Sequence, residues 1–315
     1  MRVAVFGAGA VGAYLGSRFA AARADVHLIA RGDHLAALRE RGLTLITPDG
    51  VTTTPVWATD DPASIGPVDL VLFCVKSYDT EAVAARLAPL IGPATAVLSI
   101  QNGIDNEPKI AAAIGAGHVL GAAVYVLAAI ESPGVVRSGP ARLVVGELAP
   151  GPPSRRVLDI VELAREGRLE ATAVPDVRTA KWEKYTVLVA FSAVSAATQL
   201  PLGDIRRAPA AISMLRGLMT EAWTVGRAIG VPLADGLVER QVELLLAQVD
   251  GAGASLRHDL LTGRRMELEA LQGTLSRLGR ETGVATPWTD AAYAILQPWA
   301  LRNAGSRSWT TPSPG

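Results

Sequence analysis

The sequence predicts an α/β domain built on a parallel sheet, followed by an all-helical domain. In the first part of the chain, short β-branched and apolar runs alternate with segments of helix formers, as in sheets covered by helices on both faces. After Pro175 the strand pattern stops, and segments with a 3.6-residue apolar period follow one another. We therefore predict domains over residues 1–176 and 177–300, with a Ser/Thr/Pro-rich tail over 301–315 that we expect to be disordered.

A strand, a glycine-rich turn and a helix open the first domain. Arg2–Phe6 is the strand, and the turn reads Gly7-Ala8-Gly9-Ala10-Val11-Gly12. In a dinucleotide-binding Rossmann domain, the first glycine of G-x-G-x-x-G permits the tight turn and the second lets the backbone approach the pyrophosphate. The third lets the helix pack on the strand, and the helix N-terminus supplies free N–H groups and partial positive charge. A purely structural turn is the alternative, but the flanking strand and helix favour a nucleotide site.

The end of the second predicted strand indicates which dinucleotide binds. The strand is Asp25–Ala30, and Arg31 follows it where NAD sites usually carry Asp or Glu for the ribose hydroxyl. A guanidinium suits a 2′-phosphate, so Arg31 predicts NADP(H) as the cofactor. The alternative is a solvated arginine partnered by Asp33, which we also predict to be the N-cap of the next helix.

Polar residues follow two further predicted strands. Leu70–Val75 is followed by Lys76, and Ala96–Ile100 by Gln101-Asn102-Gly103. Because open α/β sheets bind ligands at the carboxyl ends of their strands, Lys76 and Asn102 are candidate site residues. A surface lysine and an ordinary Asn-Gly turn are the alternatives, and position alone does not decide between them.

The other elements follow from periodicity and turn residues. A hairpin is expected around Pro48-Asp49-Gly50, between Leu43–Thr47 and Val51–Ala58. Further elements of the first domain are a helix over Glu81–Ala88, strands over His118–Ala129, Arg142–Glu147 and Leu169–Val174, and a helix over Ser154–Glu166. In the second domain we expect helices over Arg178–Leu200, Pro209–Gly230, Ala234–Val249, Ser255–Thr262, Arg264–Gly283 and Pro287–Trp299.

Composition argues against several classes of function. The formal net charge is zero, which disfavours electrostatic attraction to nucleic acid or to an anionic membrane. Cys74 is the only cysteine and the four histidines are scattered, so we expect neither an internal disulfide nor a metal site. The longest apolar run, Val119–Ile130, has 12 residues and is too short for a membrane span. We therefore expect a soluble cytoplasmic protein without nucleic-acid or membrane partners.

Taken together, the motifs resemble the ketopantoate reductase (2-dehydropantoate 2-reductase) family over almost the whole chain. Besides the motifs above, they are Lys181-Trp182-Glu183-Lys184, Ser255-x-x-x-Asp259, Gly263-Arg264-x-x-Glu267-x-Glu269-x-x-x-Gly273 and Gly283-Val284-x-Thr286-Pro287. The resemblance implies a Rossmann domain followed by a helical domain of the 6-phosphogluconate dehydrogenase C-terminal-like type. It also implies NADPH-dependent reduction of a 2-oxo acid to a 2-hydroxy acid, namely ketopantoate to pantoate in pantothenate biosynthesis. The sequence does not determine the oligomeric state, but the apolar helical domain and the dimers of the family are compatible with a homodimer.

By this resemblance Lys184 is the catalytic lysine, and a physical argument agrees. Hydride delivery to a carbonyl carbon leaves an alkoxide, which needs a proton or a fixed positive charge. Leu188 lies one turn further along the same face of the predicted helix, where it would exclude water and lower the pKa of the lysine. Without the resemblance, Lys184 would be interpreted as a helix lysine whose ammonium reaches solvent.

The resemblance also assigns the remaining site residues. Glu267 is the carboxylate that bonds the substrate hydroxyl near the lysine, and its alternative is a solvated helix residue paired with Arg264. Ser255 contacts the substrate carboxylate and could otherwise be only a helix N-cap, whereas we give Asp259 a structural role. The other matches line the cofactor and substrate: Lys76, Asn102 and, at the 2′-phosphate, Arg31.

One departure from the family concerns the substrate. The family usually has asparagine one and two helical turns after the lysine, whereas this chain has Leu188 and Ser192. Leu188 favours a more apolar group than an asparagine would, so a more apolar carbonyl compound is a second hypothesis beside ketopantoate. A third, a non-catalytic NADPH-binding regulator, is disfavoured by the retained Lys184 and Glu267. If these two side chains act together, their tips should lie within about 4 Å or share a bridging water.

Overall fold

In the computed structural model, which describes residues 1–305, the chain divides into two compact units. The first consists of Met1–Gln101 and Asn106–Val177. The second consists of Asn102–Asp105 and the described residues from Arg178 onward. The segment Asn102–Asp105 therefore belongs to the helical unit by its contacts, although it lies between elements of the first unit in the sequence.

Two sheets and five helices form the first unit. The strands are β1 (Arg2–Phe6), β2 (Asp25–Ile29), β3 (Leu43–Thr47), β4 (Gly50–Thr54), β5 (Trp57–Thr59), β6 (Leu70–Phe73), β7 (Ala96–Ser99), β8 (Val119–Tyr125), β9 (Ala128–Ser132), β10 (Val135–Ser138), β11 (Arg142–Glu147) and β12 (Glu170–Ala173). The helices are α1 (Ala10–Ala21), α2 (Gly32–Arg41), α3 (Thr80–Ala84), α4 (Asn106–Ile114) and α5 (Arg155–Glu166).

The larger sheet has the strand order β12-β11-β8-β7-β6-β1-β2-β5, and the smaller has the order β4-β3-β10-β9. Neighbours in the larger sheet are parallel except β8 and β11. Alternate residues of β1 enter different apolar clusters: Val3 and Val5 belong to one, and Ala4 and Phe6 to the other. Because both faces of the central strands are covered, these strands are apolar at every position. The predicted parallel α/β fold is confirmed.

Several predicted elements of this unit differ in extent. The predicted strand Val51–Ala58 is interrupted at Pro55 and contributes β4 and β5 to different sheets. The predicted strand His118–Ala129 is likewise divided between β8 and β9. Helix α3 ends at Ala84 and continues as a 3-10 helix over Ala85–Leu90, since Pro89 lacks the N–H that a longer α-helix needs.

Seven helices and one π-helical turn form the second unit. They are α6 (Val177–Thr198), α7 (Leu202–Arg206), α8 (Pro209–Ala228), α9 (Leu237–Leu246), α10 (Ser255–Leu261), the π-helical turn Glu269–Gly273, α11 (Thr274–Thr282) and α12 (Pro287–Arg302). None of the helices within residues 1–305 is both long enough and apolar enough to cross a membrane.

Three predictions for this unit need correction. The expected helix Arg264–Gly283 is wrong in its first half: residues 264–267 are not helical, and the Gly273 N–H bonds to the Leu268 carbonyl at 3.0 Å in a π-helical turn. Helix α7 was missed because five residues are too few for a periodic pattern. The predicted tail starts too early, since α12 runs to Arg302 and a 3-10 turn occupies 303–305. Residues 306–315 of that tail lie outside the described residues.

Candidate active site

Each glycine of the nucleotide motif has its own structural reason. Gly7 has a φ of +95°, and a Cβ added there would lie 2.9 Å from Val75 Cγ1. A Cβ added at Gly12 would lie 2.5 Å from the Gly7 carbonyl oxygen, so this glycine allows α1 to pack on the turn. A Cβ added at Gly9 meets no atom within 4 Å in the described part of the chain. The space in front of Gly9 is therefore open to a ligand.

The N-terminus of α1 follows this open space directly. Gly9 is its N-cap, and the Ala13 N–H is bonded to the Gly9 carbonyl at 2.8 Å. The N–H groups of Ala10, Val11 and Gly12 precede that first intrahelical bond, so they point out of the helix at its positive end. The Ala8 N–H bonds to the Ile29 carbonyl at 2.8 Å, which holds the turn against the end of β2. The residues present fit the pyrophosphate of a dinucleotide.

Arg31 lies at the same edge of the sheet. It is the N-cap of α2 with an extended backbone (φ −155°, ψ 167°), and it is partly buried. Because β2 is the neighbour of β1, the residue after β2 lies beside the glycine turn. The prediction that Asp33 is the N-cap is wrong: α2 begins at Gly32, and Asp33 lies in its first turn.

A buried polar network, which sequence reasoning missed, holds the loops after β6 and β7. Gln101 Nε2 donates to the Val75 carbonyl at 3.0 Å and to Thr80 Oγ1 at 2.7 Å. Thr80 Oγ1 donates to Asn106 Oδ1 at 3.0 Å. The network fixes the backbone just before Lys76, which is partly buried and is the N-cap of a 3-10 turn. The sequence does contain a signal for this network. Gln101 follows a predicted strand and directly precedes Asn102, which is a candidate ligand residue.

Lys184 and Asn102 meet within the helical unit. Lys184 lies in the first half of α6, and its Nζ donates to Asn102 Oδ1 at 2.8 Å. The segment that carries Asn102 is anchored by two further contacts: Ile104 packs in the apolar cluster around Trp182, and Thr274 Oγ1 donates to Asp105 Oδ2 at 3.4 Å. Two candidates from distant parts of the sequence are thus joined by a direct hydrogen bond.

The surroundings of Lys184 favour release of its proton. The pKa of Lys184 is lowered from 10.5 to about 8: burial has the largest effect, the positive charge of Lys181 acts in the same direction, and the negative charge of Glu267 opposes them. Glu267 is only 6% exposed and lies in the non-helical segment ahead of the π-helical turn, which contradicts its interpretation as a solvated helix residue. The two predicted catalytic side chains therefore interact electrostatically.

The two residues that depart from the family pattern have different surroundings. Leu188 is partly buried and packs against the apolar cluster around Trp182. Ser192 is fully buried, where its hydroxyl accepts a hydrogen bond from Gln272 Nε2 at 3.0 Å and donates to the Val189 carbonyl at 3.2 Å. The hydroxyl of Ser192 is thus engaged inside the helical unit.

Ser255 and Asp259 lie on α10. Ser255 is exposed and is the first residue of the helix, whereas Ala254 is the N-cap, so the N-cap interpretation of Ser255 is wrong. Asp259 is 5% exposed, and its carbonyl accepts from the Arg264 N–H at 2.8 Å where the helix ends.

Two further kinds of chemistry were considered from the sequence, a reactive thiol at Cys74 and a metal site. Burial raises the pKa of the Cys74 thiol, which therefore stays protonated, and its Cβ lies 3.1 Å from where a Cβ on Gly12 would be. Within residues 1–305, no group of three or more His, Cys, Asp or Glu side chains is arranged to hold a metal ion.

The first unit has a glycine turn that fits a dinucleotide, and the second has a partly buried lysine whose pKa is lowered to about 8. A Rossmann fold with this turn, followed by a helical domain, is typical of dinucleotide-dependent oxidoreductases. The family model described as ketopantoate reductase PanE/ApbA matches residues 3–150, and the model of its C-terminal part matches residues 176–300. The chain belongs to the ketopantoate reductase family and is an oxidoreductase of the 2-dehydropantoate 2-reductase type, with NADP(H) as the family's cofactor.

Individual relatives agree with the family models. The chain is 31% identical over 329 residues to the 2-dehydropantoate 2-reductase of Mesorhizobium japonicum, covering 96% of this chain and 98% of the relative. It is 34% identical over 291 residues to that of Halobacterium salinarum, covering 91% and 95%. A crystal structure of a PanE/ApbA family ketopantoate reductase from Ralstonia eutropha JMP134 has a TM-score of 0.89 and 33% identity, covering 96% of this chain and all of that one.

Proposed function

We propose that this protein reduces ketopantoate to pantoate with NADPH, as a cytoplasmic step of pantothenate biosynthesis. The observation that carries the proposal is the Lys184–Asn102 hydrogen bond of 2.8 Å around an ammonium whose pKa is lowered to about 8. The relatives named 2-dehydropantoate 2-reductase support the substrate.

The residues for NADPH come from the first unit. The open face of Gly9 and the free N–H groups of Ala10, Val11 and Gly12 suit the pyrophosphate. Gly7 and Ala8 shape the turn that presents them. Arg31 supplies a planar cation for the 2′-phosphate, and Lys76 is the strand-end residue that we assign to the nicotinamide side of the site.

The chemistry that NADPH supplies when bound is a hydride for the carbonyl carbon of the substrate. Lys184 gives its proton to the carbonyl oxygen as negative charge develops there. A pKa of about 8 keeps Lys184 mostly protonated at neutral pH and makes it a stronger acid than an ordinary lysine. Asn102 orients Nζ through a neutral acceptor, and Glu267 provides a carboxylate for the substrate hydroxyl.

Ser255 and the helix face beyond Lys184 are the proposed substrate contacts. The exposed hydroxyl of Ser255 suits the substrate carboxylate. Leu188 provides an apolar side chain one helical turn after Lys184, and Ser192, whose hydroxyl accepts a hydrogen bond from Gln272, lies one turn further. Ketopantoate carries both a carboxylate and two methyl groups, so polar and apolar contacts are both needed.

The test is NADPH oxidation, followed by nicotinamide absorbance, with the native protein, Lys184→Ala and Lys109→Ala. Lysine 109 lies on α4 and is the control. We expect Lys184→Ala to lower kcat about 10²–10⁴-fold with NADPH affinity unchanged, and Lys109→Ala to match the native protein. Native turnover that is indifferent to Lys184→Ala would overturn the assigned acid. Tight NADPH binding without turnover of any 2-oxo acid would favour a regulator instead.

A second candidate is a reductase for a more apolar 2-oxo acid, and the observation that favours it is the apolar packing of Leu188. The discriminating substrate is 3,3-dimethyl-2-oxobutanoate, which is ketopantoate without its hydroxyl group. If this compound has the higher kcat/KM, and Leu188→Asn shifts the preference toward ketopantoate, the second candidate is favoured. Brisk native turnover of ketopantoate would exclude it.

We also propose a homodimer. Large apolar side chains are exposed on the helical unit, among them Leu244 (62%), Ile295 (54%) and Leu301 (70%). Where such side chains form one continuous patch, burial in an interface stabilises them. Light scattering after size exclusion should give twice the chain mass of 32.8 kDa, and a monomer mass would overturn the proposal.

A further inference from the structure

A glycine-rich loop leads directly to the candidate substrate contact Ser255. The loop covers residues 248–254, which read Gln-Val-Asp-Gly-Ala-Gly-Ala, and Ser255 is the first residue of the helix that follows it, α10. Two glycines in seven residues give the loop backbone more conformational freedom than other residues would. The place of Ser255 therefore depends on what holds the 248–254 loop.

The short helix α7 is a fixed support for this loop. Leu202 and Ile205 of α7 are at most 1% exposed, and they belong to an apolar cluster with side chains of α6, α8 and α9. Ala252 from the loop packs against the same cluster. Because protein interiors are close-packed, α7 cannot shift without disturbing three longer helices. The loop is thus attached to a rigid part of the helical unit.

Backbone hydrogen bonds join the first turn of α7 to the loop. The Leu202 N–H donates to the Ala252 carbonyl at 2.9 Å. The Gly203 N–H donates to the Asp250 carbonyl, also at 2.9 Å. The first N–H groups of a helix have no acceptor within the helix, so the loop supplies those acceptors. At Gly203 the two backbones are so close that an added Cβ would lie 2.7 Å from Asp250 Cβ.

Arg206 holds the same loop from the last turn of α7. Its Nη1 donates to Asp250 Oδ1 at 2.7 Å, and its Nη2 donates to the Gln248 carbonyl. One planar guanidinium thus bridges a side chain and a backbone carbonyl, which the single ammonium of a lysine does not reproduce. The side chains of Arg206 and Asp250 are 34% and 72% exposed, so their ion pair adds little to the stability of the whole fold. Its main effect is therefore local, on the loop.

Apolar packing connects the start of α10 with the segment that carries Glu267. Ser255 is exposed, whereas the next residue, Leu256, is only 1% exposed. Leu256 belongs to one apolar cluster with Met266 and Leu268, the two neighbours of Glu267 in the sequence. Two candidate substrate contacts are thus attached to a common core, and the 248–254 loop enters that core at its end.

We propose that Arg206 is a positioning residue for the substrate: by holding the 248–254 loop against α7, it keeps Ser255 in the place where its hydroxyl binds the carboxylate of the 2-oxo acid. The inference rests on the proposed function, in which Ser255 contacts that carboxylate. It assigns Arg206 no contact with substrate or cofactor. A loop that is already ordered loses little conformational freedom when the substrate binds, so the contribution of Arg206 is to substrate affinity.

The first experiment compares Arg206→Met with Arg207→Met in steady-state kinetics, using NADPH and the 2-oxo acid that the native protein reduces. Arg207 is the matched control, because its guanidinium is paired with Asp204 within α7 and not with the loop. In Arg206→Met we expect KM for the 2-oxo acid to rise about tenfold, with kcat, KM for NADPH and Tm near their native values. Arg207→Met should match the native protein, and Arg206→Lys should recover only part of the loss.

Two results of these kinetics would overturn the proposal. One is an unchanged KM for the 2-oxo acid in Arg206→Met. The other is a fall of kcat together with Tm, which would mean that Arg206 supports the fold as a whole. If Arg206→Met does not fold, as judged by circular dichroism, Asp250→Ala removes the same ion pair from the side of the loop and is measured instead.

The second experiment tests whether Arg206 acts through Ser255. Ser255→Ala removes the hydroxyl and should itself raise KM for the 2-oxo acid. Adding Arg206→Met to Ser255→Ala should then raise KM little further, because the group that the loop positions is gone. Two effects that multiply independently would show that Arg206 acts elsewhere, and would overturn the proposal.

Hydrogen exchange reads the state of the loop without any turnover. The amides to follow are those of Leu202 and Gly203, whose acceptors are loop carbonyls, and that of Ala252, which bonds to the Val249 carbonyl at 3.0 Å. In Arg206→Met they should exchange about tenfold faster than in the native protein, because the loop opens more often. In Arg207→Met they should exchange at the native rate. Unchanged exchange in Arg206→Met would overturn the proposal.

The two proposals fail in distinguishable ways. If the native protein reduces no 2-oxo acid, the proposed function fails, and the role of Arg206 fails with it whatever the exchange rates are. If the native protein is active and Lys184→Ala is not, while KM for the 2-oxo acid ignores Arg206→Met, only the role of Arg206 fails.

Discussion

Lys184 Nζ donates a 2.8 Å hydrogen bond to Asn102 Oδ1, although the two residues are 82 positions apart in the sequence. A neutral amide holds the ammonium in place without the strong stabilisation of its charge that a carboxylate gives. The pair therefore combines a fixed direction with a proton that can be released. Burial and the positive charge of the neighbouring Lys181 both lower the pKa of Lys184.

Replacing Asn102 tests this relationship. Asn102→Ala removes the acceptor and should lower kcat by about tenfold or more, because hydrogen bonds to charged groups contribute about 1.5–3 kcal/mol. Asn102→Asp keeps an acceptor and adds a negative charge, which should raise the pKa of Lys184 above about 8 and move the alkaline loss of activity to higher pH. The measurement is kcat against pH for both variants. If the aspartate variant kept the native profile, Asn102 would not control this ammonium.

Two glycines of the nucleotide turn should respond in opposite ways to alanine. Gly9 has an ordinary φ of −74° and open space around its Cβ position, so Gly9→Ala should leave Tm unchanged while weakening NADPH binding. Gly12→Ala places a Cβ 2.5 Å from the Gly7 carbonyl oxygen and should lower the free energy of unfolding by about 1–3 kcal/mol. Thermal unfolding and fluorescence titration with NADPH separate the two effects. Equal Tm losses would contradict the assignment of Gly9 to ligand contact.

Arg31 should determine the preference for NADPH over NADH. Arg31→Ala removes a cation for the 2′-phosphate and should raise KM for NADPH about 10–100-fold, while KM for NADH stays the same. Arg41→Ala, at the other end of α2 and exposed, is the matched control and should change neither constant. Steady-state kinetics with both nucleotides provide the test. A parallel rise in both KM values would place Arg31 outside the 2′-phosphate site.

Lys184→Met should give a more stable protein that is inactive. The folded state lowers the pKa of Lys184 from 10.5 to about 8, so burying this ammonium destabilises the fold at neutral pH. Methionine avoids that cost, and we expect a gain of about 1–3 kcal/mol at pH 7. Since the folded native protein binds fewer protons than the unfolded chain between about pH 8 and 10.5, its stability recovers there and the gain should shrink. Denaturant unfolding at pH 7 and pH 10 measures both values, and a gain independent of pH would contradict this account.

The parts of the fold that sequence predicted well are those with local causes. The strand, glycine turn and helix around Gly7–Gly12 follow from backbone geometry and apolar patterning within a few residues. The prediction failed where hydrogen bonds between residues five positions apart replaced the regular α-helical pattern. The continuous helix expected from Arg264 is absent because the Arg264 N–H bonds to the Asp259 carbonyl, and a π-helical turn follows. Neither this hydrogen bond nor the π-helical turn produces a periodic pattern of apolar residues in the sequence.

The same division holds for the candidate site. The sequence alone predicted the glycine turn and the arginine after the second strand, since these depend on residue type and on spacing within an element, whereas Lys184 was identified through the family resemblance. Only the tertiary structure decided that Asn102 bonds to Lys184 and that Glu267 is buried and acts on its charge. Those facts depend on which side chains lose water and which charges come together, and desolvation and proximity arise when distant segments pack, not within any single stretch of the chain.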